Sequence, residues 1–206
     1  MTPYYEHAGI KIYHGDCREI LPTLPKFDLL LTDPPYGIGY AANPIVGKGK
    51  TKGNHESMDW DGRPIVDMYE LLRGVANELV IWGGNYYVLP PSRGWLTWYK
   101  PDAPPSMAHF EMGWTSRDAN ARQFSWSIAA TNPERIGHCT QKPLALMAWC
   151  LSFFPEAQSV LDPFMGSGTT LRAAKNRGVQ ATGIEREEKY CEIAAKRLSQ
   201  EVMAFA

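Results

Sequence analysis

Two patterns of apolar and polar positions recur along this 206-residue chain. The first is a short, continuous apolar run, at Phe27-Asp28-Leu29-Leu30-Leu31-Thr32 and Leu79-Val80-Ile81-Trp82, with Ser159-Val160-Leu161 and residues 179–184 also read as strands. Runs of this length without alternation predict strands covered on both faces. Residues 10–13 and 95–99 add further strands, and residues 124–130 alternate as a strand does. The second pattern has helical spacing. It covers residues 67–77, with Asp67 as N-cap, residues 143–153, with Pro143 in the first position, and residues 168–177, stopped by Gly178. Residues 187–200 form an amphipathic helix in which Tyr190, Ile193, Ala194, Arg197 and Leu198 share a face. Residues 37–64 and 101–122 carry neither period. Strands that alternate with helices predict one α/β domain, a mostly parallel sheet with helices on both faces.

Composition narrows the partners. Hydrophobic residues make up 44% of the chain, enough for a core, and the net charge is −1. A nucleic-acid partner must therefore meet a local basic patch. Gly47-Lys48-Gly49-Lys50-Thr51-Lys52-Gly53 is one, locally +3. The four cysteines, Cys17, Cys139, Cys150 and Cys191, form no CxxC pair, so neither a zinc knuckle nor a redox motif is expected and no metal is implied. The N-terminus has no signal-peptide apolar region and no apolar run approaches membrane-spanning length, which predicts a cytoplasmic protein without membrane contact.

Two stretches carry chemistry. Asp33-Pro34-Pro35-Tyr36 stands where the strand at 27–32 runs out into a loop. Asp162-Pro163-Phe164-Met165-Gly166-Ser167-Gly168-Thr169-Thr170 follows another strand and opens a helix. Strand, glycine turn, helix, strand and then Glu185 is the order of a nucleoside-binding βαβ unit, with a carboxylate at the distance that accepts from a ribose diol.

The first stretch resembles the catalytic motif of DNA amino-methyltransferases. The second resembles their S-adenosyl-L-methionine (AdoMet) loop, FxGxG, rather than the GxGxxG of dehydrogenases. Catalytic motif first and cofactor loop last resembles the β group of the family, a circularly permuted, Rossmann-like methyltransferase fold, and the resemblance covers nearly the whole chain. It implies that Asp33 (side chain) and Pro34 (carbonyl) accept the two N–H groups of a target amine. Pro35 would stiffen the turn, and Tyr36 would stack on a base flipped out of double-stranded DNA. It implies a cofactor site built from Asp16, Cys17, Asp33, Lys142, Pro143, Asp162, Phe164, Gly166, Ser167, Gly168, Thr169, Thr170, Glu185 and Arg186, with Lys142 neutralising the cofactor's carboxylate. Gly15-Asp16-Cys17 is similar to the motif beside the cofactor's adenine, and Trp98-Tyr99-Lys100-Pro101 to the one beside the flipped base.

Aspartate rather than serine at position 33 resembles the adenine-N6 members. The alternatives are cytosine N4, adenine N6 in RNA, a silent methyltransferase-fold subunit that binds DNA or a partner, and a small-molecule methyltransferase. Residues 1–100 are expected to form a catalytic half and 141–206 the AdoMet-binding half. Only residues 101–140 remain for a small target-recognition insert, with Phe110, Trp114, Arg117, Arg122 and Arg135. DNA contacts are expected from Lys48, Lys50, Lys52, Trp60, Lys100, Arg117 and Arg122. So small an insert predicts a homodimer, which a monomer mass in light scattering would contradict.

Overall fold

A computed structural model describes residues 1–36, 68–131, 133 and 141–200. Their strands are β1 (Tyr5–His7), β2 (Ile10–His14), β3 (Phe27–Thr32), β4 (Ala76–Trp82), β5 (Trp95–Tyr99), β6 (Phe110–Thr115), β7 (Arg122–Ser125), β8 (Ser159–Asp162) and β9 (Gln180–Glu185). The helices are α1 (Cys17–Ile20), α2 (Met68–Leu72), α3 (Ile128–Thr131), α4 (Leu144–Ser152), α5 (Thr169–Asn176) and α6 (Glu188–Ser199). One sheet holds all nine strands in the order β1-β2-β9-β8-β3-β4-β6-β5-β7. Its centre, β2 to β4, is parallel, and β1 and β6 run antiparallel to their neighbours.

The apolar runs divide by parity, as a strand buried on both faces requires. Leu29, Leu31, Val80 and Trp82 pack on one face with Leu146, Met147 and Cys150 of α4 and Leu171 of α5. Leu30 and Ile81 pack on the other with Ile20 of α1, and Met68 and Leu72 of α2. The central strands are thereby sandwiched, and their C-terminal ends open on a shared edge. β3 and β8 are neighbours there, but the chain leaves them in opposite directions: β3 leads towards β4 and β8 towards β9. Such a divergence opens a crevice at the strand ends, where ligands of α/β sheets bind.

Three predicted elements are revised. The helix at 67–77 is shorter: α2 ends at Leu72, and Gly74, at φ 151°, turns the chain into β4 from Ala76. Residues 101–122, aperiodic on first reading, contain β6, which registers Glu111 against Trp98 and Trp114 against Ile81. The strand at 124–130 is instead β7 followed by α3, whose first N–H groups, on Ile128 and Ala129, donate to Asp102 at 2.7 and 2.8 Å. Residues 110–125, assigned above to a recognition insert, thus supply two strands of the main sheet. Pro143 is the N-cap of α4 rather than its first residue. Lys48, Lys50, Lys52, Trp60, Asp67 and Arg135 lie outside the described residues.

Candidate active site

Asp33 follows β3 and Asp162 ends β8. The two strand ends are tied by Thr32, whose Oγ1 donates to Asp162 Oδ1 at 2.7 Å. Asp162 also accepts from the Phe164 amide at 3.2 Å and from the Thr170 hydroxyl. The Gly-rich loop is thereby fastened to the strand that delivers Asp33. Burial pushes the Asp162 carboxyl up to about 6, against these hydrogen bonds.

Asp33 is enclosed. Its Oδ1 accepts from the Tyr36 hydroxyl at 2.6 Å and its Oδ2 from the Lys142 ammonium at 2.5 Å. Burial raises its pKa, and the adjacent Lys142 charge opposes the rise. The Tyr87 hydroxyl lies 2.5 Å from the Pro35 carbonyl oxygen and 3.2 Å from that of Pro34. Tyr36 stacks on Tyr86, with ring centroids 4.8 Å apart and planes 19° from parallel. Gly83, at φ 70°, allows this approach: a Cβ there would stand 2.1 Å from the Tyr36 ring.

Lys142 is buried and meets a second carboxylate. Glu111 Oε2 is 3.1 Å from its ammonium, and Glu111 Oε1 accepts from Lys100. Lys100, Glu111, Lys142 and Asp33 therefore alternate in charge through the interior. Burial disfavours ionised Glu111, but the two ammonium groups overcome this and hold its pKa down to about 2. Burial likewise disfavours the charge on Lys142. Asp33 and Glu111 outweigh it, so its pKa lies above the ordinary lysine value.

The cofactor candidates gather at the same edge. Glu185 ends β9; its Oε2 accepts from the Gly166 amide at 3.0 Å and its Oε1 from the Glu187 amide at 2.8 Å. Gly168, left-handed at φ 78°, caps α5. Ser167 donates to Gln141 Oε1 at 3.1 Å, and Thr169 accepts from Arg197 at 3.0 Å. Asp16 caps α1, accepting from the Arg18 amide at 2.9 Å and from the Arg18 guanidinium, so its carboxylate is already occupied. Cys17 beside it is buried, and its thiol is pushed up to about 11 by that burial. Arg186 is exposed, and its carbonyl pairs with the His14 ring at 3.0 Å.

The residues assigned to DNA fare differently. Lys100 is 6% exposed and bound to Glu111, so its ammonium is internal rather than a phosphate contact. Arg117 is held by Glu78, Glu156 and the Phe153 carbonyl, past the end of β6 that lies farthest from Asp33. Arg122 is exposed on the edge strand β7. Glu111, Tyr86 and Tyr87 belong to the site and were not singled out from the sequence. The signal for Glu111 was available in the alternation of Phe110, Met112 and Trp114 around it.

An Asp-Pro-Pro-Tyr turn and a Gly-rich loop, locked together at the divergence of a parallel sheet, make this an α/β methyltransferase-type site. Residues 93–196 match the family model N6_N4_Mtase, described as DNA methylase. The chain belongs to that family. The matched span holds Lys100, Glu111, Lys142 and the Gly-rich loop, and full-length relatives extend the likeness across the first half. The type II methyltransferase M.ScaI of Streptomyces caespitosus is 26% identical over 272 aligned positions, covering 98% of this chain and 86% of its own. The type II methyltransferase M.HinfI of Haemophilus influenzae is 29% identical, covering 91% and 67%. Among solved structures, the M1.HpyAVI–SAM complex superposes with a TM-score of 0.60 at 24% identity, covering 93% of this chain and 100% of that one. PvuII DNA methyltransferase, described as cytosine-N4-specific, superposes at 0.61 with 17% identity, covering 98% and 90%.

Proposed function

We propose that this chain is an AdoMet-dependent DNA methyltransferase that methylates the exocyclic N6 of a flipped adenine within a short DNA sequence. The observation that carries the reading is the pairing of Asp33 and Pro34 with the Gly-rich loop through the Thr32–Asp162 hydrogen bond. The residues present fit the cofactor. Glu185 offers a carboxylate at the rim of the loop, and the first turn of α5 opens beside it. Phe164 contributes a half-buried aromatic face. AdoMet, when bound, supplies an electrophilic methyl group on a sulfonium sulfur.

The chain's own part is positioning. The lone pair of an exocyclic amine is delocalised into its ring, and two acceptors that hold its N–H groups turn it towards the methyl group. Asp33 Oδ2 and the Pro34 carbonyl are such acceptors; in the free protein they meet Lys142 and Tyr87. Flipping the base costs a few kcal/mol, and stacking on Tyr36 offsets about 1–3 kcal/mol of it. The exposed Tyr86 ring covers Tyr36 in the free protein and must yield to the base. Aspartate at position 33, rather than serine, favours adenine.

The test is to incubate the protein with AdoMet and unmodified double-stranded DNA, digest to nucleosides and measure masses, with Asp33→Ala alongside. N6-methyladenine that disappears in the variant is the expected result. N4-methylcytosine would keep the mechanism and overturn the base assignment. AdoMet binding with no methylated base would point to an RNA target or a missing partner.

A further inference from the structure

Glu111 is a buried carboxylate for which the methyl-transfer reading has no use. It lies on β6, a strand apart from both motifs, yet its side chain reaches their junction. Oε1 accepts from Lys100. Oε2 is 3.1 Å from the Lys142 ammonium, buried, and makes no hydrogen bond of proper geometry among the described residues. A buried carboxylate oxygen is costly unless a partner satisfies it, and the ion pair with Lys142 is the partner at hand. Lys142 meanwhile occupies Asp33 Oδ2, one of the acceptors the target amine needs. An amine and an ammonium cannot both fill that oxygen. The ammonium cannot leave for solvent, since Lys142 is 6% exposed.

We propose that Glu111 is a positioning residue of the methyl-transfer site, which takes the Lys142 ammonium as the target amine replaces it on Asp33. The inference rests on the function proposed above. In the free protein Lys142 bridges the two carboxylates and opposes the rise that burial imposes on the Asp33 pKa. When the base enters, the ammonium gives up Asp33 Oδ2 and keeps its ion pair with Oε2, so its positive charge stays beside Asp33 without blocking it. Lys100 fixes Glu111 from the other side. The charged and titratable groups around Lys142 are Asp33 and Tyr36 after β3 and Glu111 on β6, with Lys100 behind Glu111 at the end of β5.

Glu111→Gln removes the charge at nearly unchanged volume, and Glu111→Asp retains it one methylene further back. In single-turnover methylation under saturating AdoMet, Glu111→Gln is expected to lower the rate about ten- to a hundredfold, as a misplaced reacting group does, with AdoMet affinity within about twofold of wild type. Losing one of the two anions beside Lys142 lowers its pKa. The ¹⁵N-labelled Lys142 ammonium should titrate at correspondingly lower pH in the cofactor-free protein. Glu111→Asp should lie between wild type and Glu111→Gln in rate and in the Lys142 titration. If Glu111→Gln does not fold, Glu111→Asp alone decides: a rate at least about threefold down at full AdoMet affinity supports the role, and a wild-type rate overturns it. A wild-type rate together with an unshifted Lys142 titration in Glu111→Gln also overturns it. A wild-type protein that methylates no DNA refutes the function proposed above instead, while the Lys142 titration still reports whether Glu111 holds the ammonium.

Discussion

Asp33 and Asp162 end neighbouring strands, and burial raises the pKa of both, but only Asp33 has a cation beside it. At Asp162 burial and the neighbouring Asp33 charge outweigh its hydrogen bonds, which pushes its carboxyl up to about 6 from the ordinary 3.8. The folded protein thus holds this proton more tightly than the unfolded chain. Its contribution to stability is greatest below the ordinary value and is lost as pH rises through about 6. The difference, about two units, is worth up to about 3 kcal/mol. Asp162→Asn keeps the oxygen that accepts from Thr32 and Phe164 and removes the charge. Its urea midpoint, relative to wild type, should rise between pH 4.5 and 7.5; a constant offset across that range would refute the assignment. At this scale the motif residues were legible because each motif is contiguous. The partner of Lys142 was not. Lys142 was expected to meet a cofactor carboxylate and meets Asp33 and Glu111, a juxtaposition made by strand register, which sequence spacing does not carry.

Elements were legible where burial was uniform. β3, β5 and β8 begin where their apolar runs predict. β6 is not a continuous apolar run, because the face opposite Phe110, Met112 and Trp114 carries Glu111, which meets the two lysines, and Gly113, which packs against the Trp82 ring. The same close packing governs the cofactor loop. In β9, a Cβ on Gly183 would stand 2.4 Å from Met165 Sδ and 2.8 Å from a Leu171 methyl. Met165 belongs to the Gly-rich loop and donates its amide to the Ile184 carbonyl at 3.1 Å; Leu171 anchors α5. Gly183→Ala is therefore expected to destabilise by about 1–3 kcal/mol, as overpacking does. It should also weaken AdoMet binding, because the loop is what must shift. Thermal melts and equilibrium dialysis measure the two effects, and full AdoMet affinity in a destabilised variant would show that α5 moved instead of the loop.

Across the whole molecule the charge is nearly balanced, at −1, so attraction to DNA has to come from where the positive charges lie free. The fold removes two candidates from that role: Lys100 is neutralised inside the site, and Arg117 is tied to two carboxylates and a carbonyl past the remote end of β6. Arg122 stays exposed, on an edge strand three places from β4. We propose that phosphate contact falls to the locally +3 stretch at Lys48, Lys50 and Lys52. Each phosphate neutralised contributes about 0.9 to the slope of log affinity against log salt. Replacing the three lysines with alanine should weaken DNA binding and reduce that slope by up to about 3, while AdoMet affinity is unchanged. Titrations at several salt concentrations decide it. A slope equal to wild type would mean that the lysines lie off the DNA path and that arginines such as Arg122 carry the contact. Loss of affinity at constant slope would mean that they act on the fold or on the flipped base rather than on phosphate.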